Sequence, residues 1–241
     1  MPESEWRYYI LTFSGNGSEV NDLLKVMDII PPYICSLAHF YTTEPFGYGS
    51  PWGYGTDPYS SPIFYAGKFH SAKTFDDTHI SALRQHLGLY NNLDKEKHEG
   101  IIRALEFNQN LKMLGPVNNM KILAYFVIIE MLLTHNPNDK ELGDSLMHQI
   151  KTKASLLSSR LDNPIDYSVF GDGVSPDKIL AALYCYRSCI AHGTHINFQT
   201  DNKLKKLRDE QTATDFVVTV TKKFLKHALR EPDLINGLKP I

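Results

Sequence analysis

The chain has 241 residues, 42% of them hydrophobic and 22% charged, and a formal net charge of -2, as is typical of a globular protein with a real core. Its three cysteines are too few for a disulfide framework. The longest apolar run, residues 122–133, contains Glu130 and is too short to span a bilayer. The acidic Glu3 and Glu5 do not fit the basic start of a secretory signal. We therefore expect a cytoplasmic protein with no membrane segment.

The N-terminal part has the composition of a small sheet. Residues 6–13 are aromatic and β-branched, and residues 33–42 and 62–70 are similar, so each is predicted to form a strand. A short helix is predicted over residues 19–30, ended by two prolines. Residues 1–92 are thus expected to be a β-containing domain, to which the sequence assigns no role.

From residue 93 onward the pattern is helical. Residues 118–134 are apolar nearly all round, which predicts a central buried helix. Ser175-Pro176-Asp177 is a strong helix start, and Gly193 is placed to end that helix. The remaining predicted helices span residues 93–114, 138–157 (from an Asn138/Glu141 capping box) and 209–229. The predicted fold class is therefore α+β, with a bundle of about five helices over residues 93–241.

The residues with the clearest chemistry lie at the end of the fourth predicted helix, where residues 187–193 read Arg-Ser-Cys-Ile-Ala-His-Gly. Histidine can act as an acid or a base near neutral pH. Arginine stays charged and offers a planar fork that matches phosphate oxygens. RNA cleavage without a metal requires a base for the 2'-OH, an acid for the 5'-oxygen and stabilisation of the phosphorane. The motif contains residue types suited to each task.

This motif, with the Tyr186 that precedes it, resembles the R-x4-6-H motif of HEPN domains, and it is closest to the ApeA-like HEPN branch. The helix over residues 122–133 resembles that branch's helix, in which an acid, here Glu130, precedes a short apolar pair. The resemblance covers about residues 93–230. Ser188 departs from the Asn, Asp or His that often follows the arginine in HEPN nucleases.

The resemblance implies a metal-independent endoribonuclease that needs no cofactor. His192 would be the acid/base, Arg187 would stabilise the phosphorane, and Ser188 would hydrogen-bond a phosphate or orient His192. The supporting residues would be Glu130, Tyr186, Gly193 and His195. Glu130, on a buried helix, needs a partner, and we expect Arg187 or another group of the motif; the alternative is that it caps a loop.

The same family includes toxins and anti-phage effectors, so an antitoxin or a trigger protein belongs among the expected partners beside the RNA substrate. A function of a different class is also open. The chain would then be a non-catalytic HEPN module that binds RNA or a partner protein.

Helix geometry bears on the oligomeric state. Positions five apart are rotated by about 140° on an ideal helix, so Arg187 and His192 would not share a face. Either the helix unwinds near Gly193, or residues from two subunits combine. HEPN ribonucleases use the second arrangement, and we therefore predict a homodimer with a composite active site.

Two other interpretations concern the same region. Cys185, Cys189, His192 and His195 form a C-x3-C-x2-H-x2-H pattern, but helical spacing holds Cys185 and His192 about 10 Å apart, too far for one zinc ion. The two cysteines are better explained as small buried thiols than as a disulfide. Residues 201–230 contain eight basic and four acidic residues, which permits a phosphate-binding face, although such helix faces are commonly just solvated.

Overall fold

The described part of the protein is built from α-helices. In the computed structural model it comprises residues 17–30, 76–111, 119–136 and 145–239. Within these ranges lie eight α-helices: α1 (Gly17–Met27), α2 (Asp77–Asn91), α3 (Glu99–Asn110), α4 (Met120–Leu133), α5 (Leu146–Arg160), α6 (Pro176–Ala191), α7 (Glu210–Arg230) and α8 (Pro232–Leu238). Two 3-10 turns, Ser168–Phe170 and Leu204–Leu207, lie in the connections before and after α6. Of the helices in these ranges, none has the length and apolarity needed to cross a bilayer.

The predicted α+β fold class is wrong. Every regular element within the described ranges is helical, and no strand occurs there. The three predicted strands, residues 6–13, 33–42 and 62–70, lie outside these ranges. Helix α2 was not expected, although Ile80, Leu83, Leu87 and Tyr90 follow the three- and four-residue spacing of one helix face. The predicted α1 is present, and it ends before the two prolines.

The chain divides into two compact units, residues 1–88 and 89–241. In the second unit α4 is the central helix, as its all-round apolar sequence predicted. It packs against α3, α5, α6, α7 and α8. Burying each large side chain of this kind contributes about 1.5–3 kcal/mol before the cost in entropy. The buried residues of α4 are Ile122, Tyr125, Phe126, Ile128, Ile129, Leu132 and Leu133.

The helix boundaries differ from prediction in three places. Helix α3 begins at Glu99 rather than at residue 93, because the preceding residues form turns in which the Asp94 carboxylate accepts from the Lys97 N–H at 3.1 Å. Helix α5 begins after Ser145, whose hydroxyl accepts from the His148 N–H at 3.3 Å, and the predicted Asn138 capping box lies outside the described residues. Helix α8, which starts at Pro232, makes six α-helices instead of five among the described residues of the second unit.

Candidate functional site

Helix α6 carries the motif, and local signals fix both of its ends as predicted. At the N-terminus the Ser175 hydroxyl accepts from the Lys178 N–H at 3.4 Å, and Pro176 occupies the first turn. At the C-terminus Gly193 has φ +64°, a conformation that favours glycine. The Gly193 N–H donates to the Ile190 carbonyl at 3.2 Å, and the Thr194 N–H donates to the Cys189 carbonyl at 2.9 Å. These two bonds form a Schellman motif, which holds the last turn of α6 in place.

Arg187 on α6 forms an ion pair with Glu130 on α4. Nη2 of Arg187 lies 3.2 Å from Oε1 of Glu130 and donates a hydrogen bond to Oε2 at 3.3 Å. Only 22% of the Arg187 side chain and 17% of the Glu130 side chain are exposed. The expectation that Glu130 pairs with a group of the motif is therefore confirmed, and its partner is Arg187.

Burial dominates the electrostatics of Glu130. It raises the pKa of this carboxyl above its usual value near 4.5, and the charge and hydrogen bond of Arg187 oppose the rise without cancelling it. Nε of Arg187 and Oε1 of Glu130 are both buried, and neither makes a hydrogen bond with a described residue. The pair thus contains one N–H donor on Arg187 and one acceptor oxygen on Glu130 that form no hydrogen bond with a described residue.

Tyr184 is a contact of Arg187 that the sequence analysis missed. The guanidinium carbon of Arg187 lies 5.6 Å from the centre of the Tyr184 ring, within the range of a cation–π interaction. The ring in turn packs edge-on against Phe126 of α4, with centroids 6.3 Å apart. The spacing of three residues between Tyr184 and Arg187 on one helix is the signal that could have revealed this contact.

Tyr186 is a core residue. Its side chain is fully buried and packs against Phe198, with ring centroids 5.0 Å apart. Burial raises the pKa of its phenol above the usual value, and the Glu210 carboxylate raises it further. Tyr186 therefore remains protonated near neutral pH, and its buried ring stabilises the packing of α6.

The structure does not bring the other motif residues to the Glu130–Arg187 pair. Ser188 is half-buried, while His192, Gly193 and His195 are exposed. Within the described residues no side-chain hydrogen bond or ion pair joins Ser188 or His192 to Arg187. Within one chain, the Glu130–Arg187 ion pair and the exposed His192 are therefore not in contact.

The backbone explains this separation. Helix α6 is regular through Ala191, and the N–H of His192 donates to the Ser188 carbonyl at 3.0 Å, so the α-helical pattern continues to the cap. Arg187 and His192 therefore stay rotated by about 140° and separated by about 7.5 Å along the axis. The helix ends at His192 and Gly193, so it does leave the α-helical path near Gly193, but this does not bring His192 to Arg187.

The two cysteines of α6 are free thiols. Cys185 and Cys189 are both half-buried, and no disulfide joins them. Across the described residues, no group of three or more His, Cys, Asp or Glu side chains is arranged to hold a metal ion. The structure therefore gives no support to a zinc site built from these cysteines, His192 and His195.

Most of the basic residues of α7 are engaged in packing or bonding. Lys222 is buried, and Nζ of Lys223 donates to the carbonyls of Asn163 and Pro164 at 3.0 and 2.9 Å. Arg230 pairs with Asp162. A continuous phosphate-binding face over residues 201–230 is therefore absent from this described segment, and its exposed cations are concentrated before α7.

Comparisons with protein-family models, with curated protein sequences and with solved structures give no match to this chain.

Proposed function

We propose that the chain is a metal-independent endoribonuclease of the HEPN type that acts as a homodimer in the cytoplasm. The observation that carries the proposal is the half-buried Glu130–Arg187 pair. A cation held partly out of water interacts more strongly with an anionic phosphorane than a fully solvated one does. The ion pair with Glu130 and the ring of Tyr184 reduce the freedom of Arg187 before a substrate arrives.

In the proposed reaction a histidine accepts the proton of the 2'-OH, which attacks the neighbouring phosphorus. The 5'-oxygen then leaves with a proton, which a histidine can also supply. His192 is exposed at the end of α6, where an RNA strand can reach it. Ser188 lies one turn before His192 on the same helix and is suited to orient its ring.

The geometry of α6 supports the dimeric form of the proposal. One chain holds Arg187 against α4 and presents His192 on a different face. A second copy related by a two-fold axis would supply the group that each chain lacks beside its own Arg187 or His192. The site is therefore proposed to be composite, with both copies of α6 at the interface.

The direct test is cleavage of single-stranded RNA by the wild type and by His192→Ala, with EDTA present in both. Loss of an acid/base group is expected to slow cleavage by about 10²–10⁴-fold. Exposed His148→Ala, on α5, is the matched control and should retain activity. Cleavage by His192→Ala at the wild-type rate would overturn the assignment.

A second candidate function follows from the same ion pair. The guanidinium of Arg187 is already neutralised by Glu130, which favours a structural role for it in a non-catalytic module that binds RNA or a partner protein. This function predicts binding without cleavage and no toxicity on expression. Toxicity of the wild type that disappears in a folded Arg187→Ala variant would exclude it, and would direct attention to an antitoxin or trigger protein.

A further inference from the structure

A basic 3-10 turn lies beside the motif end of α6. Residues 203–208 read Lys-Leu-Lys-Lys-Leu-Arg. Leu204 and Leu207 are 1% and 0% exposed and anchor the turn, which packs against α6 and α7. Lys203, Lys205 and Arg208 are exposed, and Lys206 is half-buried. The apolar anchors thus leave the cations of the turn on the surface.

The backbone after the turn is tightly constrained. Arg208 has φ +66° and ψ -67°, and the Asp209 N–H donates to the Leu207 carbonyl across it at 2.8 Å, which is a strained γ-turn. Nη1 of Arg208 donates to the Val169 carbonyl at 2.8 Å. Arg208 therefore fixes the C-terminal end of the turn against the connection before α6.

Among the described residues no carboxylate forms a salt bridge with a cation of the turn, although Nζ of Lys205 donates to Oδ1 of Asn202 at 2.9 Å. Asp201 uses Oδ1 to accept from the backbone N–H groups of Lys203 and Leu204, at 2.7 and 3.0 Å. Asp209 caps α7 by accepting from the Thr212 N–H at 2.7 Å. No carboxylate oxygen of a described residue lies within 4.0 Å of a charged nitrogen of the turn. Asp201 and Asp209 thus hydrogen-bond the backbone, and they attract Lys203 and Arg208 only from beyond salt-bridge distance.

The turn is also close to the last turn of α6. Burial raises the pKa of the Cys189 thiol, Cys185 and Asp201 add to the rise, and the charge of Lys203 opposes it. Lys203 therefore lies near Cys189, which precedes His192 by less than one helical turn. An anion bound by the turn would pass beside the exposed histidine.

We infer that the turn over residues 203–208 holds the phosphate backbone of single-stranded RNA, with Lys203, Lys205 and Lys206 as its contacts. In a 3-10 turn the side chains three positions apart project in the same direction, with about 6 Å between them along the axis, so Lys203 and Lys206 can reach neighbouring phosphates of one strand. The ammonium groups of lysine lie on flexible side chains, so they can follow a flexible RNA backbone. They contact phosphates and do not recognise bases. The inference rests on the proposed function only in taking RNA as the ligand.

The test measures binding of a fluorescein-labelled single-stranded RNA to His192→Ala protein, which keeps the ligand intact. Adding Lys203/Lys205/Lys206→Gln is expected to reduce the slope of log K against log salt by about 2, because three phosphate contacts are lost. The parent protein should then lose about twentyfold more affinity than the variant between about 50 and 200 mM salt. The matched control is Lys121/Lys151/Lys178→Gln, which removes the same charge near the N-terminal ends of three helices.

An unchanged slope in the turn variant would overturn the inference, and so would an equal change in the control variant, which would show an effect of net charge alone. Binding of polyglutamate that the three turn substitutions weaken as strongly as RNA binding would also overturn it in favour of an acidic protein partner. Failure of the proposed function gives a different result. Wild-type protein would then not cleave RNA, while the turn variant would still bind it more weakly.

Discussion

Glu130 and Arg187 are 57 residues apart in the chain, and Nη2 of Arg187 lies 3.2 Å from Oε1 of Glu130 in the folded protein. The contact joins the central helix α4 to the helix that carries the motif. It is half-buried, and the carboxylate would have no other described partner if the arginine were removed. This relationship leads to the first prediction.

Arg187→Met is expected to lower the free energy of unfolding by about 1–3 kcal/mol at about pH 7, because it leaves a largely buried carboxylate without a cation. Burial already raises the pKa of Glu130, and loss of Arg187 raises it further. The folded state then binds the Glu130 proton more tightly than the unfolded chain does. Stability is therefore retained below about pH 4.5 and lost as pH rises through the raised pKa.

Urea unfolding at about pH 5 and about pH 7 measures this effect. The loss in free energy of unfolding caused by Arg187→Met should be smaller at the lower pH. The double variant Glu130→Gln/Arg187→Met is the control, since it has no carboxylate to bury, and its deficit should be nearly independent of pH. Equal deficits of Arg187→Met at both pH values would contradict the prediction.

Tyr184 is expected to be a positioning residue for Arg187. Tyr184→Leu removes the aromatic face under the guanidinium and should reduce kcat for RNA cleavage by about 2- to 5-fold, which corresponds to an exposed or half-exposed cation–π contact of about 0.5–1 kcal/mol. Tyr184→Phe keeps the ring and should retain kcat. A merely structural role predicts that both variants lose activity in proportion to their stability, which thermal unfolding of the same samples would reveal.

The C-terminal cap of α6 gives a prediction about stability. Gly193→Ala should lower the free energy of unfolding by about 1–2 kcal/mol. Alanine at φ +64° is strained even where its Cβ meets nothing within 4 Å. Gly237→Ala is the matched control within α8, where a Cβ also meets nothing. That substitution should stabilise the protein by about 0.5–1 kcal/mol. Chemical denaturation of both variants tests the pair, and a neutral Gly193→Ala would show that the cap tolerates a side chain.

Subunit mixing tests the composite site. Arg187→Ala and His192→Ala are each expected to lose at least about 100-fold in cleavage rate on their own. After unfolding and refolding together, mixed dimers should recover part of the activity, because one subunit supplies the arginine and its partner supplies the histidine. Two affinity tags, one on each variant, identify the mixed dimers. Mixed dimers that stay as inactive as the parents would argue that each chain works alone.

Some of this structure could be predicted from the sequence because the signals are local. Ser175-Pro176 and Gly193 fix the ends of α6 through bonds to residues no more than five positions away. The apolar surface of α4 made it the central helix. Helix α2 was missed because the segments before it are rich in aromatic and β-branched residues, which favour strands. Its own apolar residues do lie on one helix face.

The site could be predicted only in part for a related reason. The need of Glu130 for a partner follows from burial, and Arg187 was among the expected partners. The contact of Tyr184 with Arg187 was missed, although their spacing of three residues places both side chains on one helix face. The lysines of residues 203–208 make no salt bridge with a described residue, whereas most basic residues of α7 are engaged, and this difference depends on tertiary contacts that no spacing encodes.

The long separation of Glu130 and Arg187 has a consequence during synthesis. At about 5–20 residues per second, a ribosome needs roughly 3–11 s to add the residues between them. Throughout that interval α4 has been synthesised without the helix that completes the ion pair. We therefore expect a nascent chain to hold no Glu130–Arg187 pair until Arg187 has been translated, which would keep the proposed nuclease inactive while it is being made.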